Sequence, residues 1–388
     1  MKRTSMKTLR IGFISLVDAA IAIAAVECDF AEREDLKIEL VREVSWANIR
    51  DKLASEMFDA AHMLAPLAVA TSLGIGHLKA PLAVPFGLNA NGNCITVSSS
   101  LYRLIEDVLG HAPDGPLESA NAMRIITERR KQMGAPPLSF GVVFPFSIHA
   151  ILIRHWLELG GVDIDNCVQF VVVPPPFMVE NLSSGVIEGY CVGEPWNSRA
   201  VENGVGCILV FGSELNRFAP DKVLAMRQEL IQENTGVVTK LLRAYKGAAD
   251  WCGDPANRGN LAQILSRPEY LNVAPKTVLN ALSGNLQVNR TETRRDASFL
   301  TLGDARVNYP DPRRACWLYA QMKYSRGELV TAPEIRAAAS VYRPDLYEAA
   351  LGPGNPVEVD QVSLKFGNDF PEGDIEDYIA TLTEPLVR

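Results

Sequence analysis

The chain has 388 residues, of which 47% are hydrophobic and 22% are charged, and both values are typical of globular proteins. Its length indicates two or three domains with enough apolar residues for a sizeable core. Lysine and arginine number 38 against 46 acidic residues, a net charge of −8. This balance argues against a general attraction to nucleic acid or to an acidic membrane surface.

The cysteines and histidines argue against a metal centre. The seven cysteines form no CxxC pair, and the five histidines include no HExxH motif. Each cysteine is therefore predicted to be a small buried residue in a reducing compartment, and neither a disulfide framework nor a cofactor is expected.

The start of the chain imitates a secretory signal. Met1–Arg10 carries four basic residues, and Ile11–Val26 is largely apolar. Asp18 interrupts the apolar run, which favours a strand over 8–14, a turn, and a helix over 19–28 that belong to the fold. No other stretch approaches the roughly 20 apolar residues of a membrane span.

Strand-length apolar runs alternate with helical patterns in the first half, which favours a parallel α/β arrangement. Ser45 is the predicted N-cap of one helix. The predicted strands cover 8–14, 36–41, 58–63, 82–88, 94–97, 139–144, 167–173, 188–192 and 207–211. The predicted helices cover 19–28, 46–57, 147–159 and 177–185, followed by a mostly helical region from Lys222 onward that includes 237–252 and 313–323.

This order predicts two α/β lobes joined by two hinge strands. Lobe I would comprise 1–94 and 210–388, and lobe II would comprise 95–209. The hinge candidates are 94–97 and 207–211. In such folds ligands bind in the cleft between the lobes, at strand carboxyl ends and helix N-termini.

Polar side chains follow several predicted strands, among them Asp18, Trp46, His62 and His149. Each has a structural explanation, since Asp18 can cap a helix, Trp46 can belong to the core, and a lone histidine is more often structural. Together they are expected to line one crevice. No phosphate loop, dinucleotide fingerprint or GxSxG elbow is present.

Several ordered motifs resemble the nitrate- and bicarbonate-binding receptors of ABC transporters. They are LRIGFI (9–14) with Asp18, SWANIRDK (45–52), DAAHMLAP (59–66), NGN (91–93), FPFSIH (144–149) with Arg154 and Trp156, VPPP (173–176), CVGEPWN (191–197) and PDKVLAMR (220–227). The resemblance runs from about residue 8 to 255 and resumes at 315–322. It implies a type II periplasmic-binding-protein fold with the ligand in the cleft.

The resemblance also implies a site. Members of this family hold a small planar anion with a tryptophan, an amide, a histidine and a lysine, which fall here on Trp46, Asn93, His149 and Lys222. Lys222 would supply a positive charge, the helix N-terminus near His149 would supply backbone N–H donors, and Trp46 would offer a flat face or its indole N–H.

Only Met1–Lys7 precede the first predicted strand, which indicates a cytoplasmic branch similar to the NasS-type nitrate and nitrite sensors. Such a sensor implies a NasT-type RNA-binding antiterminator as partner, with no direct contact to nucleic acid or membrane. Ligand and partner would be coupled because they favour different conformations. The expected function is thus a cytoplasmic nitrate or nitrite sensor without enzymatic activity.

Two alternatives stay open. The first is the solute-binding protein of a nitrate, nitrite or bicarbonate ABC importer. The second is an enzyme on the same fold, as in the thiamine-pyrimidine synthases, which would require neighbouring cysteines that this sequence lacks.

Overall fold

The computed structural model describes residues 8–353, and elements are numbered here along that part of the chain. Its strands are β1 Thr8–Ile14, β2 Lys37–Glu43, β3 Ala60–Leu64, β4 Leu82–Asn91, β5 Asn93–Ser98, β6 Leu138–Val142, β7 Val168–Val172, β8 Gly189–Gly193, β9 Gly206–Phe211, β10 Pro220–Arg227, β11 Asn285–Gln287, β12 Thr293–Arg295 and β13 Leu300–Thr301.

Helices account for most of the remaining described residues. They are α1 Ala20–Glu27, α2 Phe30–Arg33, α3 Trp46–Ala54, α4 Ala65–Leu73, α5 Ser99–Leu109, α6 Gly115–Gln132, α7 Ile148–Leu159, α8 Ile164–Cys167, α9 Met178–Ser183, α10 Trp196–Glu202, α11 Gly212–Leu215, α12 Gln228–Glu233, α13 Thr235–Gly253, α14 Arg258–Leu265, α15 Pro275–Leu282, α16 Ala305–Asn308, α17 Pro312–Tyr324, α18 Ala332–Ala339 and α19 Pro344–Leu351. Short 3-10 turns cover Val17–Ala19, Pro175–Phe177 and Pro255–Asn257.

The described residues divide into two compact units. Unit 1 comprises 8–90, 220–272 and 301–353, and unit 2 comprises 91–219 and 273–300. Residues 1–7 and 354–388 of the predicted lobe I lie outside the described part of the chain.

Unit 1 is built on a six-stranded sheet with the order β13-β4-β10-β3-β1-β2. The strand β1 runs parallel to β2 and β3, whereas β10 runs antiparallel to β3 and β4. The strands β3 and β4 are buried along their whole length and β10 is buried up to Met226, because helices cover both faces of the sheet.

Unit 2 contains a five-stranded sheet with the order β7-β6-β8-β5-β9 and a small hairpin of β11 and β12. In the larger sheet β6 runs parallel to β7 and β8, and β5 runs antiparallel to β8 and β9. Both large sheets are therefore mixed: they contain parallel pairs, as the alternation predicted, and also antiparallel pairs.

Many predicted elements are present with small shifts in their ends. The strand over 8–14 has the predicted bounds, and α1 covers most of the helix predicted over 19–28. Ser45 caps α3 as predicted, since its hydroxyl oxygen accepts a hydrogen bond from Asn48 N at 3.2 Å. The α/β class inferred from the sequence is confirmed.

The structure assigns the two hinge candidates to strands of unit 2. Residues 94–97 and 207–211 belong to β5 and β9, which pair with each other inside unit 2. The chain passes between the units at 90–91, 219–220, 272–273 and 300–301 instead.

The structure also differs from the predicted lobes at 273–300, which belong to unit 2 rather than to lobe I. Two contacts explain this placement. Ile208 N donates to Val288 O at 2.8 Å, and the rings of Phe211 and Phe299 lie 5.3 Å apart.

The strands predicted over 82–88 and 94–97 are both longer in the structure and leave a single residue between them. The strand β4 continues to Asn91, and β5 begins at Asn93. Gly92 alone separates them with φ +89°, a conformation that glycine adopts without strain.

Within residues 8–353, no helix combines the length and the apolar character that crossing a membrane requires.

Candidate functional site

A buried polar cluster in unit 1 begins with the register of β3 and β10. Lys222 lies opposite Leu64, and Leu224 lies opposite His62. Opposed residues of an antiparallel pair point to the same face, and so do residues two apart along a strand. The Lys222 and His62 side chains therefore project from the same face of the sheet.

Asp18 joins these two side chains from the 3-10 turn that follows β1. Its Oδ2 accepts a hydrogen bond from Lys222 Nζ at 2.8 Å, and its Oδ1 lies 2.9 Å from His62 Nε2. Lys222 Nζ also donates to Asp221 Oδ2. Asp18 was predicted as a possible helix cap, but its side chain makes these contacts and no cap hydrogen bond.

Trp46 closes the cluster from the first turn of α3. Its ring lies 5.5 Å from the His62 ring, and the Lys222 ammonium lies 5.6 Å from the Trp46 ring centroid, within the range of a cation–π contact. All five side chains are buried, with Trp46, His62 and Asp221 at 0% exposure. We call Asp18, Trp46, His62, Asp221 and Lys222 the Lys222 cluster.

The charges of the cluster are fixed by their neighbours. Burial alone would raise the pKa of Asp18, but Lys222 and His62 outweigh it and lower that pKa to about 2. Burial alone would lower the pKa of Lys222, but Asp18 and Asp221 raise it above its ordinary value. Lys222 is thus an ammonium whose positive charge is shared with two carboxylates, rather than the full charge expected from the sequence.

Two polar atoms of the cluster stand out. Trp46 Nε1 and His62 Nδ1 are buried and have no hydrogen-bond partner among residues 8–353. A buried donor or acceptor without a partner costs about 1–3 kcal/mol, so most such atoms in proteins are paired. Two of them on neighbouring rings beside an ammonium indicate a binding role.

Asn93 provides a comparable feature in unit 2. It begins β5, where its backbone lies opposite Gly193 of β8. The side chain is fully buried, and neither Nδ2 nor Oδ1 finds a partner within the described chain. An amide with both polar atoms unpaired can donate to one ligand oxygen and accept from a ligand hydroxyl.

His149 lies in the first turn of α7 in unit 2 and is also buried. Ser147 caps this helix by accepting a hydrogen bond from Ala150 N at 3.2 Å. The helix is 12 residues long, so its N-terminus carries the partial positive charge that favours an anion nearby.

Glu194 is a buried carboxyl that the sequence did not single out as a titrating group. Its Oε2 accepts a hydrogen bond from Ser198 N at 3.3 Å, and Oε1 has no partner among the described residues. Burial raises the pKa of Glu194 to about 7.

The structure brings two of the four predicted site residues together. Trp46 and Lys222 share the Lys222 cluster of unit 1, whereas Asn93 and His149 lie in unit 2. His62 and Asp18 complete the cluster. The sequence signal for Asp18 was its position inside an apolar run, because a charge in such a run must be paired when it is buried.

Comparison with known proteins supports the family resemblance that the sequence motifs indicated. Residues 3–266 match the model of the NMT1-like family. The nitrate/nitrite binding protein NrtA of Synechococcus elongatus is 32% identical over 72% of this chain and 63% of its own length. The bicarbonate transport ATP-binding protein CmpC of the same organism is 31% identical over 81% of this chain and 44% of its own length. The chain thus spans about half to two thirds of these curated relatives.

The fold has a close counterpart among solved structures. The periplasmic nitrate-binding protein NrtA from Synechocystis PCC 6803 superposes with a TM-score of 0.80 over 89% of this chain and 88% of that one, at 27% identity. The predicted periplasmic-binding-protein fold is confirmed by this match. Because the family model covers more than half of the residues, the chain belongs to the NMT1-like family.

Proposed function

We propose that this protein binds a small planar oxyanion, nitrate or nitrite, as a solute-binding component of an ABC importer, and that it catalyses no reaction. The observation that carries the proposal is the buried ammonium of Lys222 beside the unpartnered Nε1 of Trp46. The similarity to the nitrate-binding protein of Synechocystis supports it.

Each of the four residues named from the motifs is a candidate anion ligand, two of them in unit 1 and two in unit 2. Lys222 contributes charge, Trp46 its indole N–H, Asn93 its amide N–H, and His149 a ring nitrogen at a helix N-terminus. Nitrate accepts hydrogen bonds weakly, so several donors in a water-free setting favour its binding more than any single bond does. Bicarbonate has a similar size and the same charge, and it is the competing ligand.

Calorimetry of the purified chain with nitrate, nitrite and bicarbonate tests this proposal directly. Lys222→Gln and His149→Gln are expected to lower nitrate affinity at least tenfold while circular dichroism stays unchanged. Lys240→Gln is the matched control, because Lys240 in α13 of unit 1 is an exposed lysine that pairs with Asp35. Equal nitrate affinity in all three variants and the wild type would contradict the proposed site.

A second proposal is the regulatory role that the sequence resemblance implies. In this role the chain is a cytoplasmic sensor that holds a NasT-type antiterminator and releases it when the anion binds. The net charge of −8 favours a protein that acts on an RNA-binding partner over one that binds RNA.

Two measurements separate the roles. Fractionation of the native organism distinguishes an exported receptor from a cytoplasmic sensor. Affinity capture with the purified chain, with and without nitrate, is expected to recover a membrane permease in the first case and an RNA-binding protein, only without nitrate, in the second.

A further inference from the structure

We propose that His62 couples nitrate binding to the uptake of a proton, and that bicarbonate binds without this uptake. The inference rests on the proposed function and adds a residue that selects among its ligands. It starts from the protonation state of the His62 ring.

The contact with Asp18 fixes which ring nitrogen carries a hydrogen. Asp18 is ionised above about pH 2, so its carboxylate only accepts hydrogen bonds. The Nε2 atom, 2.9 Å from Asp18 Oδ1, must therefore be the N–H donor. In neutral His62 the Nδ1 atom then carries a lone pair, and in the imidazolium form it carries a second N–H.

His62 Nδ1 lies in a place suited to contact a ligand. The ring is fully buried, and Nδ1 has no hydrogen-bond partner within residues 8–353. The neighbouring Trp46 ring, 5.5 Å away, has the same feature at Nε1. Both rings lie close to the ion pair of Lys222 and Asp18. The Trp46 ring lies beside the Lys222 ammonium, and the His62 ring contacts Asp18.

The charged groups nearest to His62 belong to the Lys222 cluster. Asp18 from the turn after β1 contacts the ring, and Lys222 of β10 pairs with Asp18 and with Asp221. Lys52 of α3 pairs with Glu43 of β2, and α4 contains no charged residue.

Because Lys222 is already paired with Asp18, the charge that best offsets an arriving anion is a proton on His62. An anion that contacts the cluster in its buried environment therefore favours the imidazolium form.

Nitrate and bicarbonate differ in the hydrogen-bonding role that they require of His62 Nδ1. Nitrate and nitrite have only acceptor oxygens, so they can pair with Nδ1 only when it carries a hydrogen. Bicarbonate has one hydroxyl, which can donate to the lone pair of neutral His62. Nitrate affinity is consequently expected to fall as pH rises, by up to about tenfold per pH unit, because one proton is linked to binding.

Calorimetry in two buffers of different ionisation enthalpy, near pH 8, measures the linked protons. We expect nitrate to take up a net fraction of a proton per bound anion, up to one, and bicarbonate to take up none. His62→Gln keeps an amide donor for Asp18 but does not titrate, so its nitrate binding is expected to show no uptake and no pH dependence. His77→Asn is the matched control, since His77 is an exposed histidine of unit 1 whose positive φ asparagine tolerates.

Nuclear magnetic resonance of the wild-type histidine rings keeps the test valid if His62→Gln does not fold. At fixed pH, nitrate is expected to move the His62 ring signals toward imidazolium values. Movement of the His149 ring signals instead, or proton uptake that persists in folded His62→Gln, would overturn the inference. Nitrate binding without any proton uptake would overturn it too, while leaving the proposed function intact. An absence of nitrate binding altogether would contradict the proposed function itself.

Discussion

The ammonium of Lys222 lies 2.8 Å from Asp18 Oδ2, although 204 positions separate the two residues in the sequence. The contact ties β10 to the turn after β1, and both side chains are buried. Removing one partner of a buried ion pair leaves an uncompensated charge in a medium of low polarity. The pair therefore stabilises unit 1 and also holds the lysine that we assign to the anion.

The first prediction concerns the cost of breaking this pair. Asp18→Asn is expected to lower the free energy of unfolding by about 2 kcal/mol at neutral pH, because the charged contacts with Lys222 and His62 are lost while Asp221 still compensates the ammonium. Urea unfolding followed by circular dichroism measures this cost. Asp35→Asn is the control, since Asp35 and Lys240 form an exposed pair worth at most about 1 kcal/mol. Equal costs for the two variants would contradict the assignment.

The second prediction is the pH dependence of the same pair. The pKa of Asp18 is lowered from 3.8 to about 2 in the folded protein. An acid with a lowered folded pKa contributes stability that is present above its unfolded value and is lost as pH falls through the folded value. The wild type should lose roughly 2 kcal/mol through this group between about pH 4 and pH 2, and Asp18→Asn should not. Unfolding curves at several acidic pH values test the difference, and parallel curves would argue against it.

The third prediction has the opposite sign and concerns Glu194. Burial raises its folded pKa from 4.5 to about 7. The stability associated with its protonated form is fully present below about pH 4.5 and is lost as pH rises toward and through 7. Glu194→Gln is thus expected to be more stable than the wild type at pH 8 by up to roughly 3 kcal/mol, with little difference at pH 4.

Thermal unfolding of wild type and Glu194→Gln across this pH range measures the effect. Glu180→Gln serves as the control, because Glu180 is an exposed acid of α9 in the same unit. A difference between wild type and Glu194→Gln that does not change with pH would show that folding does not raise the pKa of this carboxyl.

The strands predicted with the best accuracy are those in which apolar residues predominate. Thr8–Ile14 and Cys207–Phe211 are examples, and the structure places strands at both. The strand β10 was missed, because Asp221 and Lys222 made the segment look unsuited to a buried strand. Lys222 pairs with the adjacent Asp221 and with Asp18, 204 positions away in the sequence, and local sequence patterns do not report such distant pairing.

The sequence predicted the candidate site only in part. The motifs identified Trp46 and Lys222, which the structure brings to 5.6 Å of each other. The sequence did not reveal that Lys222 shares its charge with two carboxylates or that His62 contacts Asp18. Both facts depend on the register between β3 and β10, which is set by tertiary packing.

The fourth prediction separates a functional tryptophan from a structural one. Trp46→Phe keeps an aromatic ring but removes the unpartnered Nε1–H, so nitrate affinity should fall about tenfold with little change in stability. Trp156→Phe is the matched control, because the equally buried Trp156 donates from Nε1 to Ser119 Oγ at 3.0 Å. That variant should lose about 1–3 kcal/mol of stability and keep its nitrate affinity. Calorimetry and urea unfolding give the two readouts, and equal affinity in Trp46→Phe and wild type would remove Trp46 from the site.

A similar contrast exists between two fully buried asparagines of unit 2. Asn197 has both ends of its amide satisfied, since Nδ2 donates to Val192 O and Oδ1 accepts from Thr96 Oγ1, each at 2.8 Å. Asn93 has neither end paired among the described residues. A buried amide that contributes nothing to folding is retained more readily when it contacts a ligand.

The last prediction uses this contrast. Asn93→Leu replaces an unpaired amide with an apolar side chain of similar volume, so the free energy of unfolding should stay equal or rise by about 1 kcal/mol. Nitrate affinity should fall at least tenfold, since a ligand contact is lost. Asn197→Leu should instead lower the free energy of unfolding by about 2 kcal/mol, because it leaves Thr96 and the Val192 carbonyl without their partner. Urea unfolding and nitrate calorimetry on both variants decide the matter: a stability loss in Asn93→Leu with unchanged affinity would make Asn93 a structural residue.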